Sequence, residues 1–211
     1  MLFVADEVLT GAGRTGTWSA LEPYEVAPDI LVMGKGITGG YAPLSAVVAP
    51  RRIVDVLAQG SGALLHAQTY SHHPVTCAAG LATLEWIADH DLIARCAGIA
   101  PAFHSALESL RDLPHVGDVR GRGLLAGIEF VEDKESRAPF ARSVRFAERF
   151  TDAAREAGLL VWPNSGQADG TNGDLVMLAP PFVITESEIA MMTDRLRTAL
   201  AATIAAPPTP R

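Results

Sequence analysis

Two residues stand where chemistry would be expected. Asp6 closes the apolar run Met1-Leu-Phe-Val-Ala5, and Lys35 follows the run Asp29-Ile-Leu-Val-Met33 inside Gly34-Lys-Gly36. Short continuous apolar runs read as buried parallel strands. Both residues would then emerge at the same edge of one sheet, outside the carboxyl ends of its strands, where open α/β sheets bind ligands. A lysine among Gly34, Gly36, Gly39 and Gly40, in largely apolar surroundings, loses hydration of its ammonium and becomes able to condense with a carbonyl. A buried carboxylate such as Asp6 could keep a pyridinium nitrogen protonated and so deepen an electron sink. The pair suits pyridoxal phosphate (PLP) chemistry. Spacing alone also leaves open an ordinary acidic strand end and a solvated loop lysine.

Other motifs carry less. Gly11-Ala-Gly-Arg-Thr-Gly16 spells the dinucleotide fingerprint, but that motif must open a helix whose N-terminus holds the pyrophosphate. Thr17 to Pro28 contains two prolines and no helical period, so the glycines read as a tight loop. Gly34-Lys35 is no phosphate loop, because Gly36 replaces the required Ser or Thr. His66, His72 and His73 lack a cysteine or carboxylate at ligand spacing, so no metal site is expected. Trp18 and Tyr24 could line a pocket, although isolated aromatics are more commonly core.

The elements that must position Asp6 and Lys35 alternate. A third strand is expected over Leu44–Ala49, with helices over Arg51–Gln59, Pro74–His90 and Asp91–Leu113. Pro74 suits a first helical turn, and Leu92, Cys96, Ile99, Phe103, Leu107 and Leu110 step by three or four. After Pro114 the pattern predicts strands at Gly123–Val131, Leu159–Trp162 and Leu175–Leu178, and a helix at Arg142–Ala157. A final helix is capped by Thr185 with Glu188 three residues on. The tail Ala205–Arg211 is expected to fray. The fold class is α/β, with a first segment over 1–95 and a smaller α+β segment over 96–211.

Composition excludes several classes. Apolar residues make up 48% and charged ones 19%, so a packed core is affordable and disorder is not expected. A net charge of −7 without a basic run speaks against nucleic acid as a partner. No segment reads as a membrane span or a signal peptide. Cys77 and Cys96 are the only cysteines, which fits a reducing, cytoplasmic setting. Two lysines stand against fifteen arginines, and one of the two is Lys35.

The stretch Asp6-Glu-Val-Leu-Thr-Gly-Ala-Gly-Arg-Thr-Gly16, then Pro28-Asp29, Gly34-Lys35-Gly36, Gly39-Gly40 and Pro43-Leu44, resembles the class III PLP-dependent aminotransferases. His66-Ala-Gln-Thr-Tyr70, Pro74–Ala79, Arg120-Gly-Arg-Gly123, Gly127-Ile-Glu129 and Ala179-Pro-Pro181 extend that resemblance along nearly the whole chain. Asp169-Gly-Thr-Asn-Gly-Asp174 is similar to the branch that uses ω-amino acids or amines with pyruvate. The resemblance implies PLP-dependent transferase fold type I: the C-terminal part of a PLP-binding large domain over 1–95, and a C-terminal small domain over 96–211. It implies that Lys35 binds the cofactor aldehyde and then shuttles a proton, that Asp6 pairs with the pyridine nitrogen, and that Val8 packs on the ring. Thr69 would hydrogen-bond the phosphate of a neighbouring subunit, which implies a homodimer with a shared site. Glu7 and Arg14 occupy motif positions without an assigned role; an ion pair bracing the loop is the plain reading.

Two departures bear on these implications. Many family members carry an arginine before the Pro-Pro pair to hold a substrate carboxylate, yet no Lys or Arg occurs between Arg155 and Arg195. Amine donors become more plausible as a result. Whole family members also run to about twice this length, so a truncated chain without turnover of its own is expected. Its exposed edge at Leu2–Ala5 would then be an association hazard. An aminomutase or racemase of the same fold, or a non-catalytic half of a split enzyme, stays open as an alternative.

Overall fold

The computed structural model describes residues 1–206, so most of the tail lies outside the described residues. Two compact units are formed, Met1–Cys96 and Ala97–Arg211. In the first, β1 (Val4–Asp6), β2 (Ile30–Met33) and β3 (Ala46–Val48) make a three-stranded sheet in the order β1-β2-β3. β1 pairs parallel with β2, placing Asp6 opposite Val32, and β3 joins antiparallel. The apolar run at the start is therefore a parallel strand. It is not a buried one: β1 is an edge, and Leu2, Phe3 and Val4 are exposed.

Helices α1 (Arg51–Gln59) and α2 (Pro74–Asp89) complete this unit, followed in sequence by α3 (Leu92–Glu108). The core of the first unit is small, with Ala12, Met33 and Ile37 at its centre and Leu31, Leu44, Ala46 and Leu84 packed against them. Gly80 of α2 lies where a Cβ would come within 2.6 Å of Leu44 Cδ2. There α2 lies beside the turn that carries Lys35, with Ile37 O and Thr38 Cγ2 also within 4 Å of that Cβ position.

The second unit holds a four-stranded antiparallel sheet in the order β4-β5-β7-β6, from β4 (Val116–Arg122), β5 (Leu125–Phe130), β6 (Trp162–Ser165) and β7 (Asp174–Leu178). Helices α4 (Phe146–Glu156) and α5 (Glu186–Ala205) belong to this unit. Buried Phe130, Phe146 and Phe150 meet with ring centroids 4.8–5.0 Å apart. Thr185 and Glu188 form the expected capping box at the start of α5.

The expected single strand over 123–131 is half of a hairpin. β4 went unread because Val116-Gly-Asp-Val-Arg-Gly-Arg122 carries too many glycines and charges to show an apolar alternation. Gly123, at φ +58°, occupies the first place in the two-residue turn, where positive φ is required. The strand expected at 159–162 lies three residues later. The helix expected from Arg142 begins only at Phe146, after a short 3-10 turn and Arg145 in the left-handed region. The helix expected to reach Leu113 ends at Glu108, although Phe103, Leu107 and Leu110 are buried as their spacing predicts.

Candidate active site

The parallel register of β1 and β2 brings the two strand ends side by side, with Asp6 last in β1 and Lys35 two residues beyond β2. Glu7 N donates to Val32 O at 2.9 Å, carrying the ladder one residue past β1. Asp6 Oδ1 accepts a hydrogen bond from Val8 N at 3.0 Å, which turns the chain sharply at the sheet edge. Val8 then lies against the Lys35 turn: a Cβ on Gly34 would come 3.3 Å from Val8 Cγ1.

Lys35 opens a 3-10 turn over Lys35–Thr38 at φ +42°, an uncommon conformation for a residue with a side chain. Gly39 closes that turn in the left-handed region, and Thr38 Oγ1 ties it down by donating to Ala42 O at 2.7 Å. Asp6 and Lys35 are both exposed. The expectation that burial would strip water from both is therefore corrected. β1 is an edge strand, which leaves Asp6 at its end open to solvent. The buried carboxyl is instead that of Glu7, at 3% exposure.

Glu7 is braced by hydroxyls. Thr10 Oγ1 donates to its Oε2 at 2.6 Å and Ser19 Oγ to its Oε1 at 2.8 Å. Sequence reading named neither hydroxyl. The available signal was the run Thr10, Thr15, Thr17 and Ser19 around a glycine motif that opens no helix. Arg14 is half-buried, and loss of water pushes its guanidinium below its ordinary pKa.

The glycine motif is a loop, as expected. The residues after it form only one short 3-10 turn, Glu22–Tyr24. A cleft beside the Lys35 turn is lined by Met33, Ile37, Leu44, Trp18, His66 and His73, among others. Trp18 thus lines a pocket, whereas Tyr24 is exposed. His73 Nδ1 is buried without a hydrogen-bond partner. Among the described residues, no three His, Cys, Asp or Glu side chains gather to hold a metal. Thr69 is exposed on the segment between α1 and α2. No described contact brings it to Asp6, Val8 or Lys35.

In the second unit the Asp169–Asp174 stretch is a closed loop. Asp169 Oδ1 accepts from Thr171 N and Asn172 N, and Asn172 Oδ1 accepts from Arg142 N at 2.9 Å. Asp174 Oδ1 accepts from Ala147 N at 2.9 Å, capping α4 from β7.

A primary amine and a carboxylate at neighbouring strand ends, with glycine on either side of the amine, form a donor set suited to an aldehyde and a pyridine nitrogen. The residues present therefore fit the lysine- and pyridine-binding side of a PLP site. No described helix is long and apolar enough to cross a membrane.

Comparison with known proteins places the chain in a family. The family profile "Aminotransferase class-III" matches residues 1–200. The chain is 40% identical over 203 residues to an omega-aminotransferase of Caulobacter vibrioides, covering 95% of this chain and 43% of that protein. It is 37% identical over 207 residues to an adenosylmethionine-8-amino-7-oxononanoate aminotransferase of Methanocaldococcus jannaschii, covering 95% and 43%. Among solved structures, an (S)-enantioselective omega-transaminase from Thermomicrobium roseum superposes with a TM-score of 0.88 at 34% identity, over 97% of this chain and 44% of the other. An amine transaminase from an uncultivated Pseudomonas species, solved with PLP bound, gives 0.86 at 37% identity, over 96% and 45%. The chain thus spans less than half the length of these relatives. With the parallel strand ends that carry Asp6 and Lys35, it belongs to the class III aminotransferase family and holds part of the PLP-dependent transferase fold type I.

Proposed function

We propose that this chain supplies the lysine half of a PLP site for transfer of an amino group from an ω-amino acid or amine to a keto acid such as pyruvate. The observation that carries the reading is the placement of Asp6 and Lys35 at the carboxyl ends of adjacent parallel strands. When bound, PLP supplies the electron sink that stabilises negative charge on the amino-donor carbon. Lys35 would hold the cofactor through its aldehyde carbon and, once displaced, carry a proton at Nζ between the substrate carbon and that same cofactor carbon. Asp6 would hold a proton on the pyridine nitrogen, its Oδ1 already oriented by Val8 N. Val8, half-buried and packed toward Gly34, would back the ring.

Thr69 would act on the cofactor of a second copy, making the working form a homodimer with shared sites. Its exposure, with no described bond to its hydroxyl, leaves that oxygen open to such a contact. The reading of amine donors rests on the cation-free stretch between Arg155 and Arg195, and that of ω-amino acids on the likeness of Asp169–Asp174 to that branch.

The test is spectroscopic. The chain mixed with PLP should develop an absorption band at longer wavelength than free cofactor, and Lys35→Ala should abolish it. Asp6→Asn should leave a band but weaken its retention on dialysis. Turnover with an amine donor and pyruvate is expected once the remaining family length is present as a second polypeptide, and not from 211 residues alone. A band that persists unchanged in Lys35→Ala would sink the assignment.

A further inference from the structure

We propose that Glu7 is a positioning residue for Lys35: its buried carboxyl group fixes the 8–19 loop, and that loop is the seat on which the Lys35 turn rests. The proposal builds on the reading of Lys35 as the cofactor-bearing amine.

The loop between Val8 and Leu21 contains neither strand nor helix, so something other than a backbone ladder must hold it. Glu7 does so from both ends. Its backbone oxygen accepts from Gly11 N at 2.9 Å, Thr10 Oγ1 reaches one carboxyl oxygen, and Ser19 Oγ, twelve residues on, reaches the other. Gly11 lies directly against it, since a Cβ there would sit 2.8 Å from Glu7 O and 3.5 Å from Oε2. A carboxyl group at 3% exposure is unfavourable without partners, so the two hydroxyls and the carboxyl group enforce one another's places.

The same loop supports Lys35 on either side. Val8 faces Gly34. A Cβ on Gly36 would meet Ala12 Cβ at 3.4 Å and Gly11 O at 3.9 Å. Ala12, at 1% exposure, shares a buried cluster with Met33 and Ile37, the residues two before and two after Lys35. Ala12 itself stands at φ +55° and Lys35 at φ +42°. Non-glycine residues keep such conformations only where their surroundings over-determine them. No described hydrogen bond or ion pair joins Lys35 to Glu7; the control runs through Val8, Gly11 and Ala12. Alternation of side chains across a strand end explains the division of labour, Asp6 facing out and Glu7 facing in.

The test uses reductive trapping. The full chain is incubated with PLP and then borohydride. Nζ bonds to the aldehyde carbon with loss of water, and hydride plus a solvent proton complete a secondary amine. With two lysines in the chain, Lys134, whose Nζ donates to Arg111 O at 2.7 Å and Leu113 O at 3.1 Å, is an internal reference that none of these substitutions touches. The parent should trap PLP mainly at Lys35. Glu7→Ala should lower the Lys35:Lys134 ratio by at least about tenfold, because misplacement of a reacting group by an ångström costs that much or more. Glu7→Gln, which keeps one acceptor oxygen, should restore part of the ratio. If Glu7→Ala fails to fold, the isosteric pair Thr10→Val and Ser19→Ala decides the matter, and combined they should reproduce the loss with a cooperative melt retained. A parental ratio in Glu7→Ala, or in that double variant, overturns the proposal. Equal trapping at Lys35 and Lys134 in the parent overturns the cofactor reading of Lys35 and the proposal with it.

Discussion

Asp174 differs from the surface carboxylates of its unit. Asp118 and Glu148 are held below the usual carboxylate range beside Arg120 and Arg142. Asp174 is pushed up instead, chiefly by burial and secondarily by the nearby charge of Glu148, while the hydrogen bond from Ala147 N opposes the rise. Its Oδ2 is buried without a hydrogen-bond partner. A carboxyl group whose folded pKa lies above its unfolded value stabilises the fold below the unfolded value, and that stability is lost as pH rises through the folded pKa. Once ionised, Asp174 therefore works against folding, even as Oδ1 caps α4. Asp174→Asn keeps an acceptor for Ala147 N and removes the titration. Its melting temperature relative to the parent should become more favourable as pH rises from about 4 to about 7. Asp174→Ala should follow the same pH trend and lie about 1 kcal/mol below Asp174→Asn at every pH, the usual cost of a lost N-terminal cap. A pH-independent difference between the Asn variant and the parent would refute the account.

At the scale of elements, legibility followed apolar pattern. The strand ends at Asp6 and Lys35, the α2 start at Pro74 and the Thr185 capping box could all be read, because each rests on local chemistry. Glu7 could not be told from Asp6, since two adjacent acids differ only in which way the strand end points them. β4 was invisible because its inward residues, Val116 and Val119, are separated by the irregular register between Val116 and Asp118. That irregularity breaks the alternation a strand is recognised by. The same hairpin is sterically demanding. A Cβ on Gly121 would lie 2.2 Å from Leu125 O and 2.7 Å from Ala126 Cα. Those are backbone atoms of the partner strand, which no rotamer change relieves. Gly121→Ala should destabilise the second unit by about 2 kcal/mol or more, as for overpacked cores. Gly80→Ala should be nearly neutral, because the atom in its way is the end of the Leu44 side chain and alanine favours the helix. Chemical denaturation of the two variants separates a backbone clash from a side-chain one.

Across the molecule, apolar burial is unevenly shared. The second unit buries Phe103, Phe130, Phe146 and Phe150 with Leu107, Ile128, Val176 and Leu196, whereas the first buries little beyond Ala12, Met33 and Ile37. Regions with few buried apolar groups open at lower free energy. Amide hydrogen exchange should accordingly be slow in β5, β7 and α5 and markedly faster in β1–β3. The first unit also exposes Leu2, Phe3 and Val4 along an edge strand, with Val47 and Val48 exposed on β3. A flat apolar edge with free backbone groups is a template for pairing with another chain. The isolated chain should therefore self-associate as its concentration rises, and light scattering should detect it. Val4→Lys places a charge on that edge where the side chain is already half-exposed, so it should suppress association while leaving the melt of the second unit unchanged. If association persists in Val4→Lys at the parent's concentration dependence, the contact lies elsewhere than β1, and the exposed face of β3 becomes the next strand to charge.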